Sequence, residues 1–270
     1  MRIEIPGGDG RSPSHLSCRL DLPGAGDTAS GGTAALLYCH GFASSQEGAK
    51  AEFFRARALA AGLAFCSFDF QGHGASGGAM FDLTLDRNLE DLGRVHDALA
   101  ARGLTRIVLL GSSMGAGSGL YFAARRPGSI VAAVHIAPAL EMDRGLLRLV
   151  GERKARLWEE QGSILFEHEL GAYDLSWDII ENLRGYDPGE LFERYRIPTL
   201  LIQGQRDTSV NWRSVADFAE RAGGEVELHL FADGDHRLVD RLPALWELTA
   251  GFLRRRGVLP GGESATMSAP

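Results

Sequence analysis

The sequence predicts an α/β protein built on a mostly parallel sheet. Short, continuous apolar runs recur along the chain and alternate with longer segments that carry apolar residues at helical spacing. Continuous apolar runs are typical of strands buried on both faces. The chain has 35 glycines, roughly twice the usual share of about 7%. They lie at the ends of the apolar runs, as turns between strands and helices require.

The predicted elements follow in chain order. Arg2–Ile5 and 15–22 alternate apolar and polar residues around a turn, which predicts an antiparallel N-terminal hairpin at the sheet edge. Six parallel strands are predicted at Ala34–Cys39, Leu63–Phe68, Arg106–Leu110, Ile130–Ile136, Thr199–Ile202 and Val226–Phe231. Helices are predicted at Glu47–Ala61, Leu85–Ala101, Met114–Arg126, Trp212–Ala222 and Pro243–Arg256.

The alternation of strands and helices stops between about residues 140 and 195. Met142–Trp158 and Ser176–Leu183 have helical spacing there, and no clear strand separates them. The segment is predicted to be a small helical cap inserted into a single domain that spans residues 1–256. Residues 257–270, rich in Gly, Ser, Ala and Pro, are predicted to be a disordered tail.

Composition and charge exclude several classes of function. A formal net charge of −7 disfavours nucleic acids and anionic membranes as partners. We expect neither a signal peptide nor a membrane span, because no apolar run is long enough. Three cysteines without C-x-x-C spacing, Cys18, Cys39 and Cys66, indicate neither a disulfide framework nor a zinc site. A cytoplasmic protein that binds no nucleic acid, membrane or metal is expected.

Gly111-Ser112-Ser113-Met114-Gly115 joins a predicted strand to a predicted helix. A G-x-S-x-G sequence in this context is a nucleophile elbow, in which the central serine is held on strained backbone. The alternative interpretation is an ordinary glycine-rich turn. The strand-to-helix context favours Ser113 as a catalytic nucleophile.

A serine nucleophile needs a base, and the base needs a carboxylate that orients it. Asp207 and His236 come just after the fifth and sixth predicted parallel strands, so their side chains are expected at the same sheet edge as Ser113. Asp207 could instead cap a helix, and His236 could be a surface loop residue. Asp233 and Asp235 compete for the acid role, but they are so close to His236 in sequence that the required geometry is harder to reach.

His40-Gly41-Phe42 ends the first predicted parallel strand. It resembles the H-G-x segment that offers one backbone N–H to an oxyanion, and Met114 offers the second. Phe42 could alternatively be plain core packing. His40 is predicted to support this loop by hydrogen bonding. His40, Gly41 and Trp212 are also predicted to lie at the substrate.

The segment from Asp69 to Gly78 has the pattern D-x-x-G-H-G-x-S-x-G. With the motifs above, it resembles the α/β-hydrolase superfamily, in which Ser, Asp and His follow in this chain order. Two small-capped groups are similar: bacterial cinnamoyl or feruloyl esterases, and the mitochondrial acyl-protein thioesterases that also hydrolyse acyl glucuronides. The second group resembles the chain more closely through four further segments: Ala123–Pro127, Ile197–Pro198, Val210–Trp212 and Asp235–Arg237.

The resemblance implies an α/β-hydrolase fold and a serine hydrolase acting on a small-molecule ester or thioester. Ser113, His236 and Asp207 would form and hydrolyse an acyl-enzyme without a metal or cofactor. Two alternatives stay open: an acyltransferase on the same triad, and a hydrolase-like protein that binds ligands without cleaving them. Haloalkane dehalogenases and epoxide hydrolases are disfavoured because they need a carboxylate where Ser113 stands.

Overall fold

The structure is a computed structural model that describes residues 1–7, 12–24, 33–168 and 171–260. Its strands lie close to the predicted ranges. They are β1 (Arg2–Ile5), β2 (Ser14–Asp21), β3 (Ala35–Cys39), β4 (Ala64–Phe68), β5 (Ile107–Ser112), β6 (Ile130–Ile136), β7 (Ser163–His168), β8 (Gly171–Ser176), β9 (Thr199–Gly204) and β10 (Val226–Phe231).

Eight of these strands form one sheet in the order β1-β2-β4-β3-β5-β6-β9-β10. Every pair from β4 to β10 along this order is parallel. β1 pairs antiparallel with β2, and β2 pairs antiparallel with β4. The α/β class and the antiparallel hairpin at the sheet edge are therefore confirmed.

The helices cover both faces of the sheet, and several of them are amphipathic. In α2, Leu85, Leu89 and Leu92 are buried at helical spacing, and the Thr84 side chain caps the helix by accepting from the N–H of Arg87. The described helices are α1 (Ala49–Ala60), α2 (Leu85–Ala100), α3 (Met114–Arg125), α4 (Met142–Val150), α5 (Glu152–Gln161), α6 (Asp178–Arg184), α7 (Pro188–Arg194), α8 (Trp212–Arg221) and α9 (Leu242–Arg255). No helix within these described ranges is long and apolar enough to cross a membrane.

The core consists of two apolar layers, one on each face of the sheet. Successive side chains of a strand point to opposite faces. Accordingly, Ile107 and Leu109 of β5 pack in the layer that contains apolar residues of α2, α3 and α8. Val108 and Leu110 pack in the layer that contains apolar residues of α1 and α9. Burial on both faces explains why these strands have continuous apolar sequences.

The cap contains more than the predicted helices. Gly151, with a φ of 78°, separates α4 from α5, so the predicted helix over Met142–Trp158 is two helices. The hairpin of β7 and β8 follows, although the sequence predicted no strand in this segment. Trp158 of α5 packs against this hairpin, and its side chain is fully buried. Its indole N–H donates to the Leu175 carbonyl at 3.1 Å, and its ring lies 5.5 Å from the ring of Trp177.

The C-terminal segment is ordered for longer than predicted. Gly257 has a φ of 63°, and after it Val258 and Leu259 donate their N–H groups to the Leu253 carbonyl. Both side chains are buried in the layer with α1 and α9. The predicted disordered tail is therefore wrong for these residues, because they complete the apolar surface beside α9. Residues 261–270 of that prediction lie outside the described residues.

The turn between β5 and α3 is strained and tightly packed. Ser113 has a φ of 53° and a ψ of −114°, and its N–H donates to the Ile136 carbonyl at 2.9 Å. A Cβ added at Gly115 would lie 2.3 Å from the carbonyl oxygen of Cys39 and 2.4 Å from that of His40. The start of α3 therefore contacts the end of β3 at a distance that only glycine permits.

We predict that Gly115→Ala destabilises the protein by about 2 kcal/mol or more, because the added methyl group must push α3 away from β3. The free energy of unfolding, measured by urea denaturation, tests this. Gly128→Ala is the matched control, since a Cβ there meets no atom within 4 Å. We expect that variant to change stability by no more than about 0.5 kcal/mol. Equal stability of the two variants would contradict the proposed packing constraint.

Candidate active site

The loops that follow β5, β9 and β10 bring three predicted residues together at the carboxyl edge of the sheet. Nε2 of His236 lies 3.1 Å from Oγ of Ser113. Nδ1 of His236 lies 2.8 Å from Oδ2 of Asp207. These distances place a base beside a hydroxyl and a carboxylate beside the base, which is the arrangement that activates a serine.

The Asp207 carboxylate is held at both oxygens. Oδ1 accepts from the N–H groups of Ser209 and Val210, each at 2.8 Å. Oδ2 accepts from Nε2 of Gln203 at 2.9 Å and from His236. Burial alone would raise the pKa of Asp207, but the hydrogen bond and charge of His236, with the other donors, lower it below 3.8. An ionised Asp207 keeps the proton on Nδ1 of His236, so that Nε2 is free to accept from the serine.

The two competing carboxylates have other partners. Asp233 forms an ion pair with Arg241 at 2.5 Å. Asp235 accepts from the backbone N–H of Arg237 at 3.0 Å and so shapes the loop that carries the histidine. Among the three candidates, Asp207 is the one whose carboxylate contacts the imidazole.

The loop after β3 lies directly against the serine. A Cβ added at Gly41 would be 3.3 Å from the Cβ of Ser113, so the backbone passes the nucleophile at contact distance. Gly41, Phe42 and Met114 all line the same cavity. Met114 is the first residue of α3, where a backbone N–H has no carbonyl partner within the helix. The expected oxyanion donors are thus on the two segments that border Ser113.

His40 supports this loop from inside the protein. Its Nδ1–H donates to the Gly41 carbonyl at 2.8 Å, and its Nε2 accepts from the N–H of Phe70 at 3.1 Å. Burial lowers the pKa of His40 to about 4, so the ring is neutral. His40 is fully buried and does not line the cavity, nor does Trp212, whose ring lies under Arg213 at 4.4 Å. Gly41 does line the cavity, and the substrate contacts of His40 and Trp212 stay predictions.

A cavity of about 680 Å³ opens onto Ser113 and His236. Its cap side is formed by Met142, Leu146, Leu149 and Phe166. The Phe166 ring packs edge-on against Phe42 at 5.6 Å, which joins the cap to the loop after β3. Other apolar residues of the cap, such as Trp158, are buried within it and do not reach the cavity.

Lys50, in the first turn of α1, also lines the cavity. Its Nζ donates to Oγ of Ser112 at 2.9 Å. Burial lowers the pKa of Lys50 to about 8, against the attraction of Asp235. The sequence did not single out Lys50, because a lysine at the start of an amphipathic helix is typical of a solvated surface. Only the tertiary fold places it beside the elbow.

Comparison with known proteins identifies the family of this chain. The sequence family described as serine aminopeptidase S33 matches residues 32–167, which is half of the chain. The bovine mitochondrial palmitoyl-protein thioesterase ABHD10 is 27% identical over 241 residues, covering 85% of this chain and 76% of its own length.

Two solved structures share the fold across nearly the whole chain. Mouse α/β-hydrolase domain-containing protein 10 has a TM-score of 0.76 at 20% identity, covering 94% of this chain and 99% of its own. Est1E from Butyrivibrio proteoclasticus, solved with ferulic acid bound, has a TM-score of 0.77 at 20% identity, with the same coverage. The predicted α/β-hydrolase fold is confirmed, as is the predicted class, a hydrolase of the carboxylesterase or thioesterase type. The chain belongs to the serine aminopeptidase S33 family of α/β-hydrolases.

Proposed function

We propose that this protein hydrolyses carboxylic esters or thioesters through an acyl-enzyme formed on Ser113. The observation that carries the proposal is the continuous hydrogen-bonded chain from Asp207 through His236 to Ser113, which ends at the cavity. A serine without such a chain is a weak nucleophile near neutral pH.

In the first step, Ser113 Oγ attacks the carbonyl carbon of the substrate while Nε2 of His236 takes the hydroxyl proton. Asp207 stabilises the resulting imidazolium and keeps its orientation. The carbonyl oxygen becomes an oxyanion that accepts hydrogen bonds from the N–H groups of Phe42 and Met114. Phe42 and Met114 both line the cavity that contains Ser113, so we expect little reorganisation when substrate binds.

In the second step, the tetrahedral intermediate collapses and His236 gives its proton to the leaving oxygen or sulfur. The acyl group remains as an ester on Ser113. Water then enters, loses a proton to His236 and attacks the acyl carbonyl, which releases the carboxylic acid and restores the serine. These steps use side chains, backbone N–H groups and water, so the proposal includes no metal or cofactor.

The cavity favours an apolar acyl group. Leu146, Leu149 and Phe166 contribute aliphatic and aromatic surface to the cavity that contains Ser113. The name of the bovine relative specifies palmitoyl-proteins as its substrates, and ferulic acid is an aromatic acid bound by Est1E. Both names support an ester or thioester with an apolar acyl part as the substrate here, and we propose a small-molecule one. A cytoplasmic location, without nucleic-acid or membrane partners, stays part of the proposal.

We predict that Ser113→Ala abolishes both hydrolysis of p-nitrophenyl butyrate and covalent labelling by a fluorophosphonate, since both need the Ser113 hydroxyl. The melting temperature should change little, because alanine keeps the small side chain that the turn requires. Ser112→Ala is the control and should keep the label. Labelling that survives in Ser113→Ala, or is lost only in Ser112→Ala, would exclude the proposed nucleophile. Normal labelling with turnover only on addition of an alcohol or thiol acceptor would identify an acyltransferase instead.

We predict that Asp207→Asn lowers kcat by about 10⁴, because an amide no longer holds His236 in the tautomer that accepts the serine proton. Asp235→Asn is the matched control and should retain most of the activity, since Asp235 contacts backbone N–H groups and not the imidazole. A larger loss in Asp235→Asn would reassign the acid.

The pH dependence of the unmodified enzyme provides a second check on Asp207. Its lowered pKa means that the carboxylate stays charged as pH falls until below its ordinary value of 3.8. Asp207 therefore should not contribute to any loss of kcat/KM above about pH 4. We expect a single acid limb. A second limb between about pH 4 and 5.5, where an ordinary or raised carboxyl pKa would lie, would contradict the proposed role of Asp207.

We predict that Leu149→Ser raises KM for a p-nitrophenyl ester of a long acyl chain roughly fivefold, because about 1 kcal/mol of apolar contact is lost. KM for the acetate ester should not change. Leu149 lines the cavity and is 56% exposed, so the fold should tolerate the substitution. Leu165→Ser is the matched control, since Leu165 is equally exposed on the cap but does not line the cavity. Equal effects of the two variants would show that the acyl chain binds elsewhere.

A further inference from the structure

Gln203, in β9, is a buried polar side chain that does not line the cavity. Its Nε2 donates to Oδ2 of Asp207 and to the Gly204 carbonyl, both at 2.9 Å. Its Oε1 is buried and has no hydrogen-bond partner. The side chain is fully excluded from solvent, so any direct contribution it makes is to its immediate neighbours.

The orientation of this amide is determined by its surroundings. If it were turned over, Oε1 would face the Asp207 carboxylate and the Gly204 carbonyl, and three acceptors would meet without a proton between them. The observed orientation avoids that repulsion but leaves Oε1 without a donor, which is unfavourable in a protein interior. An apolar side chain of the same length would avoid both problems. The packing of the core alone therefore does not account for glutamine at this position.

The contact has a specific effect on the carboxylate. The loop N–H groups of Ser209 and Val210 hold Oδ1, so Oδ2 is the oxygen that faces the histidine. Gln203 donates to that same oxygen. A second donor at Oδ2 restricts rotation of the carboxylate and withdraws part of its negative charge from His236.

We propose that Gln203 is a positioning residue for the catalytic acid: it orients Asp207 towards His236 and limits how strongly the carboxylate stabilises the imidazolium. This inference rests on the proposed function. The titratable group that acts directly on Asp207 is His236, and the charge of Asp207 in turn acts on Lys50 of α1, as do those of Asp235 and Arg237. None of them is changed by a substitution of Gln203.

The test is Gln203→Met, which keeps the length of the side chain and removes the donor. We expect kcat to fall about tenfold, because the carboxylate loses the donor that orients it towards His236, and this loss outweighs the stronger attraction of Asp207 for the imidazolium. KM should stay the same, since Gln203 does not line the cavity. The midpoint of the acid limb of kcat/KM should rise by about 0.5 pH units, because a carboxylate without the competing donor favours the protonated imidazole. Active sites are counted by fluorophosphonate labelling, so that unfolded protein does not lower the apparent kcat.

Gln46→Met is a matched control. Nε2 of Gln46 donates to Oδ2 of Asp69 at 2.9 Å, and Oε1 of Gln46 is also buried without a partner. Gln46→Met therefore removes the same kind of donor from a carboxylate, that of Asp69, which does not contact His236. We expect no movement of the acid limb in this variant. A shift equal to that of Gln203→Met would show a general effect of losing a buried amide and would overturn the inference.

Gln203→Asn is a second variant in case the methionine variant does not fold. It keeps the amide but shortens the side chain, which withdraws the donor from Asp207, so kcat and the acid limb should change in the same direction. If either variant folds with the kcat and acid limb of the unmodified enzyme, Gln203 has no positioning role. Ser113→Ala separates this failure from failure of the proposed function. If Ser113→Ala is inactive and unlabelled while Gln203→Met behaves like the unmodified enzyme, the proposed function stands and only the positioning role of Gln203 is overturned.

Discussion

The close contact between the start of α3 and the end of β3 is the constraint on which the site depends. Gly115 lies against the carbonyl groups of Cys39 and His40, and the turn that precedes it holds Ser113 at positive φ. This contact sets the distance between the serine and the loop that carries Phe42. The proposed nucleophile and the segments that carry the expected oxyanion donors are therefore positioned by backbone packing, before any side chain of the site is considered.

The negative charge of Asp207 organises the part of the site around His236. Asp207 is largely removed from water, and such a carboxylate is stable only if its oxygens are satisfied. Two backbone N–H groups, one amide and one imidazole supply four donors. These donors come from β9, from the loop that follows it and from the loop after β10. The requirement to satisfy one buried charge thus joins separate segments into a single polar network, and the ionised state that results fixes the tautomer of His236.

Local patterns account for what could be predicted from the sequence. Buried parallel strands have continuous apolar runs, and residues just after their carboxyl ends share one edge, so the proposed triad could be placed in advance. The cap hairpin was missed because Leu165 is apolar but points outward, which breaks the alternation that marks a half-buried strand. Lys50 and Gln203 were missed for another reason: their roles arise from contacts between segments distant in sequence, and neither belongs to a motif.

Phe42 faces both the cavity and the cap. It lines the cavity that contains Ser113, while its ring packs edge-on against Phe166 and Tyr173 of the cap hairpin. A residue proposed to bind the oxyanion is therefore also part of the interface between cap and main domain. Exchanging this cap for that of another hydrolase would remove the aromatic partners of the Phe42 ring. A transplanted cap has to supply an equivalent aromatic surface at the Phe166 position if the loop after β3 is to keep its shape.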